Sequence, residues 1–211
     1  MPSPPFADES NTAPKRILLP LSSYTVAFKI ISDCWILFAV IWMVAAFWTK
    51  QTVYHERGGF LRYSIPLIIG AYLIFKGPRL SDPLDLRVIP HLDAIAWSGV
   101  ALCIGGFLFC VWARLTLGRN WSGVVTFKGG HELITRGPYA IVRHPIYTGI
   151  LVMIAATVIV YGHVAGIIAL PFVFWGLWIK LRYEEKLMLE KFPEAYATYQ
   201  RRVKRLVPFI L

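Results

Sequence analysis

Apolar residues form five long segments separated by polar stretches. These segments cover about residues 24–48, 61–76, 94–113, 146–161 and 163–180. The last two form a run of 34 residues, from Ile146 to Ile179, that contains no Asp, Glu, Lys or Arg. A single helix of that length would measure about 50 Å, whereas the hydrocarbon core of a bilayer is about 30 Å thick. The run therefore predicts a hairpin of two membrane-spanning helices that turns at Gly162-His163.

The composition supports an integral membrane protein. Hydrophobic residues make up 56% of the 211 residues and charged residues 16%, where soluble domains carry roughly 25% charged residues. We predict an all-α fold with about five transmembrane helices. The organisation that follows is a flexible polar tail over 1–20, three transmembrane helices over 21–113, and a catalytic region over 114–211.

Two of the apolar segments carry features that are unusual in a membrane span. The first contains Lys29 and Asp33, whose spacing lets one helix pair them internally. The second is short and contains Pro66, which removes a backbone hydrogen-bond donor. With five spans the N-terminal tail lies outside the cell. If this second segment re-enters the membrane instead of crossing it, the tail lies in the cytoplasm.

The basic residues predict the orientation in the membrane. Of 22 Lys and Arg residues, twelve lie in 114–145 or after residue 181, on both sides of the hairpin. Because the hairpin returns to the face where it started, both regions share one side, which the positive-inside tendency makes cytoplasmic. The formal net charge of +10 makes the lipid bilayer the expected partner and nucleic acid an unlikely one. The sequence does not indicate the oligomeric state.

The three cysteines give no sign of a disulfide framework or a metal site. Cys34, Cys103 and Cys110 all fall inside apolar segments, and the last two lie seven residues apart on one predicted helix. This spacing does not match a zinc site. We therefore expect no metal.

Pro193 divides the polar region after Lys180 into two predicted helices. The first continues from the fifth span to about residue 191, and the second begins with Pro193 in its first turn. Tyr196, Tyr199 and Val203 share one face of the second helix, and basic residues surround the rest. This pattern is typical of a helix that lies in the lipid headgroup layer.

Polar residues concentrate in two places that the hairpin brings to one membrane face. One is 129–149 and the other is the pair Glu184-Glu185. Each has a structural explanation: Pro145 can begin a helix, Arg143 can contact lipid phosphate, and the glutamates can pair with nearby basic residues. Their combination is more informative than either one alone.

The amino-acid sequence of this region resembles that of one family. The stretches GHELITRGPYAIVRHPIYTG and, about 35 residues later, EEKLMLEKFPEAYATYQRRV, with a final VPFI, closely resemble the isoprenylcysteine carboxyl methyltransferase family. The resemblance covers about residues 115–211. In the first half of the chain it carries no information about individual residues.

The resemblance implies a membrane methyltransferase that uses S-adenosylmethionine and has no Rossmann domain. In agreement, the sequence has no GxGxxG motif between a strand and a helix. The implied cofactor pocket lies between the loop before the last hairpin and the C-terminal helices. The resemblance assigns to the cofactor His131, Glu132, Leu133, Ile134, Tyr139, His144, Pro145, Ile146, Tyr147 and Glu184.

The catalytic candidates are Lys180, Arg143, Glu185 and Arg202. A carboxylate nucleophile is already ionised at pH 7, so it needs a basic residue to hold it rather than a general base. The family has arginine four residues before the first glutamate, where this chain has Lys180, a point charge instead of a planar two-pronged donor. A carboxylate substrate, an amine and a thiol all stay open.

The leading hypothesis is carboxyl O-methylation of a lipophilic or prenylated substrate in the membrane. A phospholipid amine N-methyltransferase is the first alternative, because its layout and paired glutamates are related. An NADPH-dependent sterol-type reductase shares the R-H-x-x-Y-x-G motif but differs in the surrounding residues. A membrane protein that has lost its activity is the last alternative.

Overall fold

The structure is a computed structural model that describes residues 22–47, 52–55, 59–121, 126–128 and 133–210. Its helices are α1 (Ser23–Ala46), α2 (Phe60–Lys76), α3 (Asp82–Asp85), α4 (Asp93–Leu117), α5 (Pro145–Tyr161), α6 (Val164–Lys191) and α7 (Pro193–Arg202). Two short strands, β1 (Thr52–His55) and β2 (Thr126–Lys128), pair antiparallel. The all-helical membrane fold is confirmed, and the small strand pair is an addition that the sequence did not indicate.

Each predicted apolar segment forms one long helix. Within the described residues, α1, α2, α4 and α6 are long and apolar enough to cross a membrane, and α5 is a shorter apolar helix. With 17 residues, α5 extends over about 26 Å at 1.5 Å per residue. The protein is therefore an integral membrane protein.

Two sets of contacts between connecting segments fix which helix ends lie together. Pairing of β1 with β2 joins the α1–α2 connection to the α4–α5 connection. At the opposite end, the backbone of Arg87 pairs with that of His163, which joins the α2–α4 connection to the hairpin turn. The chain therefore runs from one end to the other in all five helices. α2 is continuous through Pro66 and counts among the helices that are long and apolar enough to cross a membrane, which favours a span over a re-entrant segment.

The bundle is built around two close helix pairs, α4 with α5 and α2 with α6. Glycines allow both approaches: a Cβ on Gly106 of α4 would lie 2.8 Å from the Gly149 carbonyl oxygen, and one on Gly176 of α6 would lie 2.9 Å from the Tyr63 carbonyl oxygen. Helix α1 packs on the α4–α5 side. The Trp35 indole nitrogen there donates to the Thr157 hydroxyl at 3.0 Å.

Three charged residues on the long helices have ionic or hydrogen-bonding partners within the protein. Lys29 and Asp33 pair along α1 with 3.5 Å between Nζ and Oδ2, as their spacing predicted. Arg114 was expected in a loop but belongs to the last turn of α4, which continues to Leu117 instead of ending at 113. Its guanidinium donates to the carbonyl oxygens of Ala45 and Gly118. These bonds let the helix continue past the charge.

The turn between α5 and α6 is held by an arginine from a distant loop. Gly162 adopts a left-handed conformation with φ 71°, which glycine accepts without steric cost. The Arg87 guanidinium donates to the carbonyl oxygens of Tyr161 at 2.7 Å and Val160 at 3.1 Å. It thereby satisfies carbonyl groups that the last turn of α5 leaves free.

The C-terminal region breaks where Pro193 predicted a break, with α6 ending at Lys191 and α7 beginning at Pro193. Tyr196 and Tyr199 of α7 are buried against the protein. The apolar face of α7 thus packs on the protein, and the location of α7 in the headgroup layer stays a prediction. Residues 203–206 then run beside 142–144; we call residues 203–206 the strap.

Candidate active site

A tight 3-10 turn over 137–140 precedes α5, and its Pro138 and Tyr139 are buried. The Tyr199 hydroxyl of α7 donates to the Tyr139 carbonyl oxygen at 2.5 Å, which fixes the turn against α7. Burial raises the pKa of the Tyr139 phenol, and the negative charge of Glu184 raises it further. Tyr139 is therefore a neutral phenol near pH 7 and not a base.

Arg143 and Glu185 form a buried ion pair at the centre of the site. Nε and Nη2 of Arg143 donate to Oε1 of Glu185 at 2.9 and 2.7 Å. The remaining Nη1 donates to the carbonyl oxygens of Gln200 and Val203. The second carboxylate oxygen accepts from Nε of Arg205 at 3.0 Å. Charge-assisted bonds of this kind are strong and directional, so the pair ties α6 to the segment before α5 and to the strap.

His144 lies between the two glutamates. Its Nε2 is 3.3 Å from an oxygen of Glu185, and its Nδ1 is 3.7 Å from an oxygen of Glu184. Burial acts to lower the pKa of His144, but the hydrogen bonds and charges of the two carboxylates outweigh burial and the pKa is raised. His144 precedes Pro145, which disfavours a helical backbone at this position, and its φ of -123° and ψ of 61° lie outside the helical region.

Glu184 has surroundings that differ from those of Glu185. Its side chain is 26% exposed, against 6% for Glu185. The Tyr147 hydroxyl donates to Oε1 of Glu184, and the Tyr147 ring stacks on His144 with 5.5 Å between ring centroids. Glu184 therefore keeps a partly exposed carboxylate, whereas the Tyr147 ring beside it is buried.

Lys180 lies one helical turn before Glu184 and is half-buried. Its Nζ is 5.5 Å from the centre of the Tyr147 ring and 5.6 Å from that of the Tyr63 ring. Both distances are within the range of a cation–π contact. Because Tyr63 belongs to α2, Lys180 connects the glutamate cluster to the α2 side of the bundle.

The strap is bound to the start of α5 by backbone and side-chain hydrogen bonds. The Arg143 amide donates to the Lys204 carbonyl at 2.7 Å, and the His144 amide to the Arg205 carbonyl at 3.0 Å. The Thr148 hydroxyl donates to the Leu206 carbonyl at 2.7 Å. These bonds place Arg205 beside Glu185.

Comparison with known proteins identifies the family. The model of the isoprenylcysteine carboxyl methyltransferase (ICMT) family matches residues 99–190. A probable protein-S-isoprenylcysteine O-methyltransferase from Oryza sativa subsp. indica is 29% identical over 135 residues, which cover 63% of this chain and 71% of the relative. Protein-S-isoprenylcysteine O-methyltransferase B from Arabidopsis thaliana is 30% identical over 132 residues, with 60% and 67% covered.

The chain belongs to the isoprenylcysteine carboxyl methyltransferase family. It is accordingly a membrane methyltransferase. The fold agrees: a solved structure of the eukaryotic intramembrane Ras methyltransferase ICMT superposes with a TM-score of 0.60 and 22% identity. That match covers 91% of this chain and 70% of the other chain, so it extends over the helices in the first half of the sequence.

The glutamate cluster brings together six of the fourteen residues that the sequence singled out. Those in or directly beside the glutamate cluster are Lys180, Arg143, Glu185, His144, Tyr147 and Glu184. Pro145 and Ile146 begin α5 and are buried, and Leu133 and Ile134 are partly buried. Tyr139 lies behind the cluster in the buried turn. His131 and Glu132 lie outside the described residues.

Arg202 is the candidate that the structure does not bring into the cluster. It ends α7 and is exposed, while Arg205, three residues later, contacts Glu185. In the sequence, Arg205 belongs to the basic residues around the predicted last helix, and Tyr63 belongs to no motif. Arg205 gave no signal of its own, because its position depends on the hydrogen bonds of the strap. Tyr63 lies in a segment where the family resemblance carried no residue-level information.

Proposed function

We propose that the protein transfers a methyl group from S-adenosylmethionine to the carboxylate of a lipophilic, prenylcysteine-like substrate. The observation that supports this most is the difference between two adjacent glutamates. Glu185 is enclosed by Arg143 and Arg205, whereas Glu184 keeps a partly exposed carboxylate between Tyr147 and Lys180. One glutamate has a structural role and the other is available to a ligand.

The residues around Glu184 fit this cofactor. When bound, S-adenosylmethionine supplies a methyl group on a positively charged sulfur, which needs no further activation. Glu184 can accept hydrogen bonds from the hydroxyl or ammonium groups of such a molecule, and its negative charge complements the positive sulfur. Ile134 packs against the same apolar cluster as Tyr139 and Tyr147, which provides an apolar wall.

Lys180 is the best-placed residue to hold the substrate carboxylate. It lies one helical turn from Glu184 on α6, and its ammonium group is 5.6 Å from the centre of the Tyr63 ring in α2. A substrate bound there could extend its apolar chain along the membrane-spanning parts of α2 and α6. The task of the protein is then to align the two reactants and exclude water, and the ionised carboxylate needs no general base.

We infer that the site lies at the cytoplasmic end of the bundle. The strap, the glutamate cluster and the β1–β2 pair are at one end, and Arg87 and the hairpin turn are at the other. Of the 22 basic residues, twelve lie in the two regions that flank the hairpin at the cluster end. This excess supports a cytoplasmic location.

The test is a transfer assay with purified protein in lipid nanodiscs. Labelled S-adenosylmethionine is supplied with a farnesylated cysteine derivative, and the matched control compound has the carboxylate replaced by an amide. We expect label only with the free carboxylate, released by mild base as methanol. Label that is stable to base and found on a lipid amine would favour a phospholipid N-methyltransferase. No transfer by protein that binds the cofactor would overturn the proposed substrate.

A further inference from the structure

The chain after the strap is an exposed apolar turn. We call residues 207–210 the C-terminal tip. Val207, Phe209 and Ile210 expose 42%, 93% and 78% of their surface. The tip has a defined backbone, since the Ile210 amide donates to the Val207 carbonyl at 3.2 Å and Phe209 adopts a positive φ of 66°. A bulky residue rarely takes that conformation, so the side chains are presented by a specific and costly turn.

The direction of the strap decides where this tip points. Lys204 pairs with Val142 in parallel orientation, and Leu206 binds the Thr148 side chain in the first turn of α5. The strap therefore advances in the same direction as the chain that enters the membrane as α5. At Leu206 the chain is level with the first turn of α5, so the tip begins on the membrane side of the strap.

Basic residues precede the tip on the aqueous side of it. Arg201, Arg202 and Lys204 are exposed and belong to the end of α7 or the strap. Going toward the membrane, the order is thus a cluster of cations followed by a group of exposed apolar side chains. This order matches the anionic headgroups and the adjoining hydrocarbon of a bilayer.

We propose that the C-terminal tip inserts into the interface of an anionic phospholipid bilayer and thereby docks the strap. The basic residues bind the headgroups, and Phe209 and Ile210 enter the apolar layer beneath them. Because the strap carries Arg205 to Glu185, the bilayer helps to assemble the glutamate cluster. The membrane then contributes to the structure of the site, in addition to surrounding the helices.

The first test measures the depth of the tip and does not depend on the proposed function. A spin label is attached to Phe209→Cys and, as the matched position, to Lys204→Cys, in vesicles of phosphatidylcholine and phosphatidylglycerol. Protein without an introduced cysteine gives the background from the buried Cys34, Cys103 and Cys110. We expect oxygen to relax the label at 209 more than a water-soluble nickel chelate does, with the reverse at 204. Equal access of the chelate to both positions, or no access of either reagent to 209, would overturn the proposal.

The second test measures activity and rests on the proposed function. Phe209→Ser with Ile210→Ser should lower turnover in these vesicles by about tenfold or more, because burial of a single large apolar side chain shifts an equilibrium by about that factor. The control pair is Leu86→Ser with Val88→Ser, which are 59% and 48% exposed at the opposite end of the bundle and should leave turnover unchanged. Equal losses in the two pairs would contradict docking by the tip.

The lipid itself provides the last comparison. Replacing Arg201, Arg202 and Lys204 by Gln should remove the difference in activity between vesicles with and without phosphatidylglycerol, since each basic residue near an anionic surface strengthens attraction by about fivefold. Wild-type activity that is the same in both lipids would contradict the role of anionic headgroups. If the protein transfers no methyl group to the tested substrate, the spin-label result still decides where the tip lies.

Discussion

Arg143 binds a single oxygen of Glu185 through two of its nitrogen atoms, with Nε at 2.9 Å and Nη2 at 2.7 Å. The two side chains are only 5% and 6% exposed, so water cannot replace either partner. A buried ion pair of this kind contributes little net stability, yet removing one partner leaves an uncompensated charge inside the protein. The pair is therefore a strict requirement for the assembled site.

Glu185→Gln should destabilise the protein strongly. The amide keeps the shape of the side chain but leaves Arg143 without a full counter-charge, a loss of about 3–5 kcal/mol for a buried pair. Glu184→Gln is the matched control and should cost less stability than Glu185→Gln, because the Glu184 side chain is 26% exposed and, within the described residues, forms no ion pair with a buried arginine. Thermal unfolding in detergent measures the first effect, and calorimetric titration should show that Glu184→Gln weakens binding of S-adenosylmethionine. Equal unfolding temperatures for the two variants would contradict these assignments.

Lys180→Met should lower turnover on the order of a hundredfold, as the loss of a positioning contact can do. Lys180→Arg should keep or raise activity, because charge is what holds a carboxylate. Cofactor binding should survive both changes. Lys186→Met is the control, since Lys186 is exposed on the next turns of the same helix. Turnover of Lys180→Met within a few-fold of wild type would mean that Lys180 only contacts headgroups.

Stability should fall as the pH rises through the raised pKa of His144. Burial opposes protonation of His144, but Glu184 and Glu185 favour it more. The folded protein therefore keeps a proton that an unfolded histidine releases near pH 6.5, and the stabilisation is fully present below that pH and lost above the raised pKa. His144→Asn should flatten this part of the profile. Unfolding temperatures measured from pH 5 to about 9 test it, and parallel wild-type and variant profiles would contradict it.

Arg205→Gln should reduce activity and stability more than Arg202→Gln does. Arg205 contacts Glu185 and lies over the Trp178 ring at 5.3 Å, whereas Arg202 is exposed at the end of α7. The Arg205 side chain is 37% exposed, so the stability difference should be only about 1 kcal/mol. Turnover and unfolding temperature of both variants in detergent, without anionic lipid, give the comparison. A larger effect at Arg202 would return that residue to the site.

Cysteines introduced at Ser81 and Lys204 should be labelled from opposite sides of the membrane. Ser81 lies in the connection that meets the hairpin turn, and Lys204 lies in the strap at the other end. A membrane-impermeant thiol reagent applied to intact cells and to inverted vesicles should reach Lys204→Cys only from the cytoplasmic side. Labelling of both positions from one side would contradict the five-span topology, and labelling of Lys204→Cys from outside would reverse the orientation.

The helices were predictable because membrane spans leave a strong signal in the sequence. Segments predicted at 146–161 and 163–180 appear as α5 and the first part of α6, with the turn at Gly162. The end of α4 was missed because the sequence shows the charge of Arg114 but not the distant carbonyl of Ala45 that receives it. A charged residue therefore indicates a loop only when no other group in the fold forms hydrogen bonds or an ion pair with it.

The site was predictable in its members and only partly in its arrangement. The family motif pointed to Glu184 and Glu185 as a pair, but which of them is enclosed depends on the face of α6 that meets Arg143. The strap could not be predicted, since backbone bonds such as Arg143 amide to Lys204 carbonyl require no particular side chain. The contact between Lys180 and Tyr63 joins two parts of the sequence that share no motif.

Arginine fixes α5 at both of its ends, Arg143 in front of its first turn and Arg87 on its last carbonyl groups. Helix α5 also has a close glycine contact to α4. Tilting of α5 would break the contacts at both of its ends at once, so we expect α4 and α5 to keep their relative positions while a substrate enters from the side of α2 and α6.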